Sequence, residues 1–299
     1  MNMWVYVGET RVEGADAVIA LAMGRGQAYG DGVFETMRAS DGQILWWPAH
    51  WQRFAEGARR LRIVLPRQVV IETEIADLLR GVGDTTIKLT LCRGAGGRGY
   101  APANDAPPLW LLSTHPLPSP QRAGGLVLRW CETLMAVQPL LAGLKHCNRL
   151  EQVLARAEWD DPGIDEGLLR EQESGDVIGA TAANLFVLRE HRWWTPPVDR
   201  CGIAGVCRDW ALSALNAGER RLTVSDVETA DALFLCNALR GILPVVRLGD
   251  RRWAPHPAMA DAVRRLSAAH PALAPAIRQV GGELSADLIG AGRVDVPSP

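Results

Sequence analysis

The sequence predicts a mixed α/β fold of the α+β type, divided into two domains. The predicted strands and helices are interleaved irregularly, without the strict βα repeat of a doubly wound sheet or a barrel. Residues 114–125 (T-H-P-L-P-S-P-Q-R-A-G-G) contain three prolines and two glycines and have no hydrophobic period, which is typical of a linker. A chain of 299 residues with 47% hydrophobic content is long enough for two well-filled cores. We therefore expect an N-terminal α/β domain over 1–115, a linker over 116–125 and a C-terminal α/β domain over 126–299.

Hydrophobic periodicity predicts the individual elements. After Pro48, apolar side chains recur at helical spacing and indicate a helix; they are Trp51, Phe54, Ala58 and Leu61. The predicted strands of this half are 4–7, 43–47, 86–92 and 109–113. In the C-terminal half we expect strands at 126–130, 166–170, 184–189 and 231–236, helices at 148–159 and 205–216, and a loose tail over 291–299.

Charge and composition argue against nucleic-acid and membrane partners. The formal net charge is −2, and acidic and basic residues are interspersed, so the chain lacks the extended basic field that such partners need. No stretch approaches the roughly 18 apolar residues of a membrane span, and the N-terminus lacks a basic region followed by an apolar run. We expect a cytoplasmic protein. The six cysteines lack C-x-x-C spacing, so we expect buried free thiols and no metal site.

Lys145 is a candidate nucleophile. Lysine occurs at only two of the 32 basic positions, 88 and 145, and the others are arginine. Unlike a guanidinium, an ammonium can lose its proton and attack a carbonyl. Asn148 can cap a helix beginning L-E-Q-V-L-A-R-A, and a lysine near the positive end of that helix dipole has a lowered pKa, which suits Schiff-base chemistry. The alternative is a structural lysine that pairs with Glu151 or extends from a strand end.

A glycine-rich loop supplies candidate anion-binding arginines. Residues 92–100 (C-R-G-A-G-G-R-G-Y) follow a predicted strand and contain Arg93 and Arg98. Glycines allow backbone N–H groups to approach an anion, and each guanidinium can bind a carboxylate through two hydrogen bonds. The loop is not a Walker motif, since no lysine and hydroxyl residue follow the final glycine. A flexible hairpin with solvated arginines is the alternative.

Two further segments are candidate phosphate sites. Residues 201–210 (C-G-I-A-G-V-C-R-D-W) run through glycines into a predicted helix, whose first N–H groups can bind phosphate. Residues 233–245 (L-F-L-C-N-A-L-R-G-I-L-P-V) end a strand in a turn that can supply further N–H donors, or form only a strand–turn–strand unit.

Seven segments, in this order along nearly the whole chain, carry a resemblance to a known family. They are Y-G-D-G-V-F-E-T (29–36), P-A-H-W-Q-R-F (48–54), R-G-A-G-G-R-G-Y (93–100), L-A-G-L-K-H-C-N-R-L-E-Q (141–152), A-A-N-L-F (182–186), G-I-A-G-V-C-R (202–208) and C-N-A-L-R-G-I-L-P-V (236–245). The sequence resembles the fold-type IV pyridoxal-phosphate enzymes, the group of branched-chain and D-amino-acid aminotransferases. The lysine segment and the arginine loop are most similar to those of the aminodeoxychorismate lyases, which make 4-aminobenzoate for folate biosynthesis.

The resemblance implies a two-domain fold-type IV architecture that forms a homodimer and binds pyridoxal 5'-phosphate in its C-terminal domain. Lys145 would bind the cofactor covalently and act as general base, and Arg53 of the H-x-x-R motif would bind its phosphate. The phosphate would also accept hydrogen bonds from the backbone N–H groups of Val206, Cys207, Asn237 and Ala238, of which only Asn237 has a polar side chain. The substrate, 4-amino-4-deoxychorismate, would yield 4-aminobenzoate and pyruvate. The candidates for its binding are Arg93, Arg98 and Tyr100, with Thr36 as a hydroxyl near the reacting carbons.

The sequence departs from the family at Gly179. The family usually has a glutamate five residues before the asparagine of the N-L-F motif, where it keeps the pyridine nitrogen protonated, and Gly179 occupies that position here. Loss of the carboxylate weakens the cofactor as an electron sink, which harms transamination more than a lyase reaction driven by aromatisation. The alternatives are a branched-chain or D-amino-acid aminotransferase, and a weakened or cofactor-poor homologue that acts as a binding protein.

Overall fold

The computed structural model describes residues 2–96, 99–103, 106–119 and 124–274. Its first sheet has six strands, all antiparallel to their neighbours, in the order β2-β1-β6-β5-β3-β4. These strands are β1 (Met3–Val7), β2 (Thr10–Val12), β3 (Gly32–Ser40), β4 (Gln43–Ile44), β5 (Thr85–Cys92) and β6 (Leu109–His115).

Four helices accompany this sheet: α1 (Gly14–Met23), α2 (Arg25–Tyr29), α3 (Trp47–Leu61) and α4 (Gln68–Leu78). Phe54 and Ala58 of α3 and Ile71 of α4 are buried in one core with Met37 and Leu89 of the strands. Because Phe54 and Ala58 are four residues apart, they lie on the same face of α3. Arg53, the residue before Phe54, contacts Glu35 of β3 and the backbone of Ala204.

The second sheet has nine strands, in the order β12-β11-β10-β13-β14-β7-β8-β9, with β15 paired to β14. It is mixed, since β7 pairs with β8 and β14 in parallel and β13 pairs with β10 and β14 antiparallel. The strands are β7 (Leu126–Met135), β8 (Glu166–Glu171), β9 (Val177–Ala180), β10 (Asn184–Arg189), β11 (Arg192–Thr195), β12 (Gly218–Glu219), β13 (Ala232–Asn237), β14 (Gly241–Leu248) and β15 (Arg251–Arg252). The helices are α5 (Leu150–Arg156), α6 (Val206–Ala214), α7 (Val224–Glu228) and α8 (Pro257–Ala269), followed by a 3-10 turn at Pro271–Leu273.

Several predicted boundaries were wrong. The strand predicted at 43–47 ends at Ile44, because Trp46 has a left-handed backbone (φ 56°) and α3 begins at Trp47, with Pro48 in its first turn. Proline suits that position because its missing N–H has no helical partner there. The helix predicted at 148–159 is shorter, from Leu150 to Arg156, and the strand predicted at 126–130 continues to Met135.

The change from the first sheet to the second falls between His115 and Leu126. The domain division at 116–125 stays a prediction, and 120–123 of that linker and the tail at 291–299 lie outside the described residues. Five of the six cysteines are buried and Cys147 is partly buried, all as free thiols. Within the described ranges, no cluster of histidine, cysteine or acidic residues could hold a metal, and none of the helices is long and apolar enough to cross a membrane.

The segment 143–147 connects the two sheets. On one side Lys145 O accepts a hydrogen bond from Phe34 N (2.9 Å), and Cys147 N donates to Gly32 O (2.9 Å). On the other side Gly143 exchanges backbone hydrogen bonds with residues 202 and 204, each at 3.0 Å. The backbone of Lys145 is therefore held between strand β3 and the loop that leads into α6.

Candidate active site

A cavity of about 720 Å³ opens between the two sheets. Of the candidate site residues from the sequence, it brings together Lys145, Thr36, Arg53, Val206, Asn237 and Ala238. Cys207 is the next residue of α6, but its side chain is buried in the core behind the cavity, beside Cys236. Arg93 and Tyr100 line a separate cavity of about 310 Å³, and Arg98 lies outside the described residues.

Lys145 extends into the cavity as a partly buried amine. Its Nζ lies 4.4 Å from the centre of the Phe34 ring. Burial, together with the nearby charge of Arg53, lowers its pKa to about 8, although the Glu35 carboxylate opposes this shift. A lysine with this pKa is partly neutral at physiological pH, which a nucleophile or general base requires.

The physical reason we expected for this lowered pKa was wrong. Asn148 does not cap α5, since its Nδ2 donates to Gly30 O (3.2 Å) and the N-cap residue is Arg149, which makes no side-chain cap bond. Lys145 is five residues before the helix, too far for the dipole to act strongly, because that effect falls off within the first turn. The alternative pairing with Glu151 is also absent, since Glu151 accepts a hydrogen bond from Ala136 N (2.8 Å).

Arg53 is held by a buried acid. Glu35 of β3, 1% exposed, accepts hydrogen bonds from Arg53 Nε (2.7 Å) and Nη2, and Arg53 Nη1 donates to Ala204 O (2.8 Å). Burial opposes ionisation of Glu35, but the Arg53 charge and the hydrogen bonds from His50 and Arg53 outweigh it and lower the pKa to about 2. Three of the five N–H donors of Arg53 are thus occupied, and the others are available to an anion in the cavity.

His50 completes this cluster. Burial lowers its pKa, so the ring is neutral, and since an ionised Glu35 can only accept, Nδ1 donates to Glu35 Oε2 (2.6 Å). The histidine and the arginine of the H-x-x-R motif, one turn apart on α3, therefore bind the same carboxylate. Glu35 fixes the direction in which Arg53 faces the cavity.

The N-terminus of α6 supplies free N–H groups beside Arg53. Val206 and Cys207 are its first residues, and their N–H groups have no partner among the described backbone hydrogen bonds, as expected for the first turn of a helix. A Cβ on Gly205 would lie 2.1 Å from Asn184 Oδ1, so only glycine allows the helix start to approach this closely. Such a helix terminus is a favourable site for phosphate.

Asn237 forms a turn rather than a free side-chain ligand. Its Oδ1 accepts hydrogen bonds from Leu239 N (3.1 Å) and Arg240 N (3.0 Å), and its Nδ2 donates to Ala182 O (3.3 Å). An anion at this turn would therefore be bound by backbone groups, Ala238 N among them. The phosphate contact through backbone groups at this turn stays a prediction.

Thr36 and the two predicted arginines differ in position. Thr36 lines the cavity, and its hydroxyl makes no hydrogen bond to any described residue. Arg93 is occupied, since Nε donates to Asp31 (2.9 Å) and its two terminal nitrogens donate to Arg62 O (2.7 Å) and Leu61 O (2.6 Å). Within one chain, therefore, Arg93 does not reach the Lys145 cavity.

Tyr100 is 88% exposed and packs edge-on against Tyr29, with ring centres 5.6 Å apart. It lies beside Arg93 in the smaller cavity, as the sequence order suggested, but apart from Lys145. The substrate-binding roles of Arg93, Arg98 and Tyr100 stay predictions.

At Gly179 the structure has no carboxylate, and the backbone conformation there is one that residues other than glycine rarely adopt. The residue is buried, its φ is 156°, and a Cβ would lie 3.1 Å from Ala183 O. Two carboxylates line the cavity within the described ranges. Asp165 accepts from Val127 N (2.8 Å), and Glu166 accepts from Gly167 N (3.0 Å) and the Thr181 hydroxyl.

Pyridoxal phosphate fits this set of residues. Lys145 provides the amine for its aldehyde, and Arg53, the start of α6 and the Ala238 turn provide donors for its phosphate, in a cavity large enough for the cofactor and a substrate. Gly179 replaces the glutamate that the family usually places opposite the ring nitrogen, and in the described residues the carboxylates on the cavity wall are those of Asp165 and Glu166.

Sequence reasoning missed several residues of this site. Glu35 and Arg149 lay within quoted segments, but the sequence did not indicate that Glu35 binds Arg53 or that Arg149 lines the cavity. Arg240 and Gln152 were missed for the same reason. A charged or amide side chain inside a motif that already holds a candidate was the available signal.

The fold and the site together define a pyridoxal-phosphate enzyme with an aminotransferase-like architecture, and the chain belongs to the class IV aminotransferase family, which matches residues 32–248. The predicted family, fold class and cofactor are thereby confirmed.

Within this family, the chain is similar to aminodeoxychorismate lyases. It is 35% identical to the aminodeoxychorismate lyase of Vibrio harveyi over 226 residues, which are 73% of this chain and 83% of that protein. The crystal structure of 4-amino-4-deoxychorismate lyase from Pseudomonas aeruginosa matches with a TM-score of 0.81 and 37% identity, covering 89% of this chain and 98% of that one. A putative branched-chain-amino-acid aminotransferase of Methanocaldococcus jannaschii is 30% identical over 261 residues, 83% of this chain and 89% of that protein.

Proposed function

We propose that this chain is an aminodeoxychorismate lyase, which uses pyridoxal phosphate to convert 4-amino-4-deoxychorismate into 4-aminobenzoate and pyruvate. The observation that carries the proposal is the reactive amine of Lys145, opening on the same cavity as Arg53 and the start of α6. The similarity to two lyases, each at 35% identity or more, distinguishes this reaction from others of the family.

Lys145 performs the proton transfers in this proposal. When bound, the cofactor would withdraw electrons from the substrate carbon next to the amino nitrogen. With the substrate bound, the free Lys145 Nζ removes the proton from C4, and the electron pair forms the C3–C4 double bond while the C3–O bond breaks. The leaving enolpyruvate takes a proton on its methylene carbon from the Lys145 ammonium and becomes pyruvate. A pKa of about 8 suits both steps, because the group gains and loses a proton readily near neutral pH.

Gly179 favours the lyase over an aminotransferase. The C3–C4 double bond completes an aromatic ring, so the lyase reaction depends less on electron withdrawal by a protonated pyridine nitrogen. Transamination lacks this driving force. The absence of a free carboxylate at Gly179 is therefore easier to reconcile with the lyase.

The test is direct. Purified enzyme saturated with pyridoxal phosphate is mixed with 4-amino-4-deoxychorismate, and 4-aminobenzoate and pyruvate are measured together. The proposal expects equal amounts of both, and no product would contradict it. Conversion of the bound cofactor to pyridoxamine phosphate by an amino donor, without 4-aminobenzoate, would instead support the aminotransferase.

Two further parts of the proposal concern assembly and location. A homodimer is supported by apolar side chains exposed around α5, namely Leu140, Leu150, Val153 and Leu154. A place in folate biosynthesis follows from the proposed product, and a cytoplasmic location is supported by the free state of all six cysteines.

A further inference from the structure

One face of α5 forms a polar wall of the Lys145 cavity. Arg149, Gln152, Val153 and Arg156 all line it, and their spacing of three, one and three residues places them on the same side of the helix. Arg156 is exposed, and its Nη1 donates to Trp159 O (2.8 Å) while its guanidinium lies over the Trp159 ring. Arg149, by contrast, is partly buried at the end of the wall nearest Lys145.

Arg149 is bonded to both neighbours of Lys145. Its Nε donates to His146 O (2.8 Å) and its Nη2 donates to Leu144 O (3.3 Å). Its third nitrogen, Nη1, has no hydrogen-bond partner in the described part of the chain. A group bound to Nη1 is therefore held beside the segment that carries the reactive amine.

Arg149 also lacks a counter-ion. It forms no ion pair with any described residue, although the Glu151 carboxylate is near enough to act on its charge. Burial lowers its pKa to about 10, which records the cost of keeping this cation away from water. A partly desolvated guanidinium whose Nη1 has no described partner is a favourable site for a carboxylate, because charge-assisted hydrogen bonds are stronger where the local dielectric is low.

The other arginines are less suited to this role. Arg93 is bonded to Asp31 and faces the smaller cavity, and Arg53 is bonded to Glu35 at the phosphate end. Arg240 lines the cavity and forms no ion pair with the residues that the structure describes, but it is bonded to neither side of the lysine segment.

We infer that Arg149 binds a carboxylate of the substrate and fixes the substrate beside Lys145. This inference rests on the proposed lyase function, whose substrate carries a ring carboxylate and an enolpyruvyl carboxylate. The sequence indicated this carboxylate-binding role for Arg93 and Arg98.

Binding of neutral and anionic probes tests the inference without turnover. The first pair is 4-aminobenzoate and 4-aminobenzamide, and the second is pyruvate and methyl pyruvate, each titrated into the cofactor-loaded protein by calorimetry. The ratio of the two affinities in a pair measures the preference for a carboxylate. A substitution that weakens binding of both probes equally leaves this ratio unchanged.

Arg149→Met should reduce this preference by roughly 10- to 100-fold in at least one pair, as expected for loss of a hydrogen bond to a charged group. The pair that responds identifies the carboxylate. Arg156→Met removes the same charge from the same helix and is the matched control, with an expected change below about threefold. Arg149→Lys keeps the charge without the planar donors, so it should lose part of the preference, and it serves as the test if Arg149→Met does not fold.

An unchanged preference in both Arg149 variants would overturn the inference, as would an equal loss in Arg156→Met or a loss only in Arg240→Met. The outcome is separable from that of the proposed function. A protein that makes no 4-aminobenzoate but shows a carboxylate preference lost in Arg149→Met has the binding site without the lyase reaction. A protein that makes product with an Arg149-independent preference has the reaction without this site.

Discussion

Replacement of Glu35 by glutamine should destabilise the protein in a strongly pH-dependent way. Glu35 is 1% exposed and binds Arg53 and His50. Its pKa falls from an ordinary 4.5 to about 2 in the folded protein. At about 1.4 kcal/mol for each pKa unit, this difference corresponds to roughly 3 kcal/mol of folding free energy at neutral pH. That is within the range of about 3–5 kcal/mol for breaking a buried ion pair.

The sign follows from proton binding. Because the folded pKa is the lower one, the unfolded chain binds the proton more tightly, and the contribution of Glu35 is complete above pH 4.5. It is lost as the pH falls from 4.5 toward about 2. Glu35→Gln should therefore unfold at lower urea concentration than the natural protein at pH 7, and this difference should shrink steadily below pH 4.5.

Urea titrations followed by tryptophan fluorescence at several pH values between 7 and 3 measure this effect. Glu56→Gln is the control, since Glu56 pairs with Arg59 (2.6 Å) on the exposed side of α3 and should contribute less than about 0.5 kcal/mol. Equal unfolding free energies for Glu35→Gln and the natural protein at pH 7, or a difference that does not vary with pH, would refute the reasoning.

Three other predictions concern the remaining parts of the site. In cofactor-free protein, the rate at which trinitrobenzenesulfonate labels Lys145 should rise with pH with a midpoint near pH 8, because burial lowers the pKa of the amine to about that value. Peptide mapping separates this labelling from that of the exposed Lys88, and a midpoint above pH 10 would contradict the prediction. Asn237→Ala should weaken binding of pyridoxal phosphate by roughly tenfold in equilibrium dialysis, since the turn loses two hydrogen bonds; unchanged binding would contradict this role of the turn. Gly179→Ala should lower the unfolding free energy by about 1–3 kcal/mol, because the backbone φ of Gly179 is positive and an added Cβ would lie 3.1 Å from Ala183 O. Gly83→Ala is the control and should change the unfolding free energy little, since an added Cβ there has no atom within 4 Å. Similar effects of the two substitutions would show that Gly179 is not constrained.

The sequence was sufficient for the architecture where hydrophobic spacing and order were both informative. The helix with Trp51, Phe54 and Ala58 on one face could be predicted because those residues form a core that the period reveals. Boundaries failed where a local backbone conformation decided them. The sequence around Trp46 did not indicate that this residue adopts a left-handed backbone conformation, which ends the strand and precedes the start of α3.

Within the site, the sequence could identify reactive groups but not their partners. Lys145 was identified as a distinctive residue, yet its low pKa comes from burial and Arg53, a residue 92 positions away, and not from the neighbouring helix. Arg93 and Arg149 are chemically equivalent in the sequence. Only the three-dimensional contacts show that Arg93 is bonded to Asp31, whereas Arg149 lies beside Lys145 and its Nη1 has no partner among the described residues.

The backbone pairing of residues 143–147 with both sheets has a mechanical consequence. Arg53 moves with the first sheet, the start of α6 moves with the second, and the lysine segment is hydrogen-bonded to strand β3 on one side and to residues 202–204 on the other. Any movement of one half of the molecule relative to the other must break these backbone hydrogen bonds. The hydrogen bonds that orient the Lys145 amine therefore also hold the two halves of the molecule together. If the chain is cut between the two sheets, at residues 116–125, we expect the two fragments to stay associated.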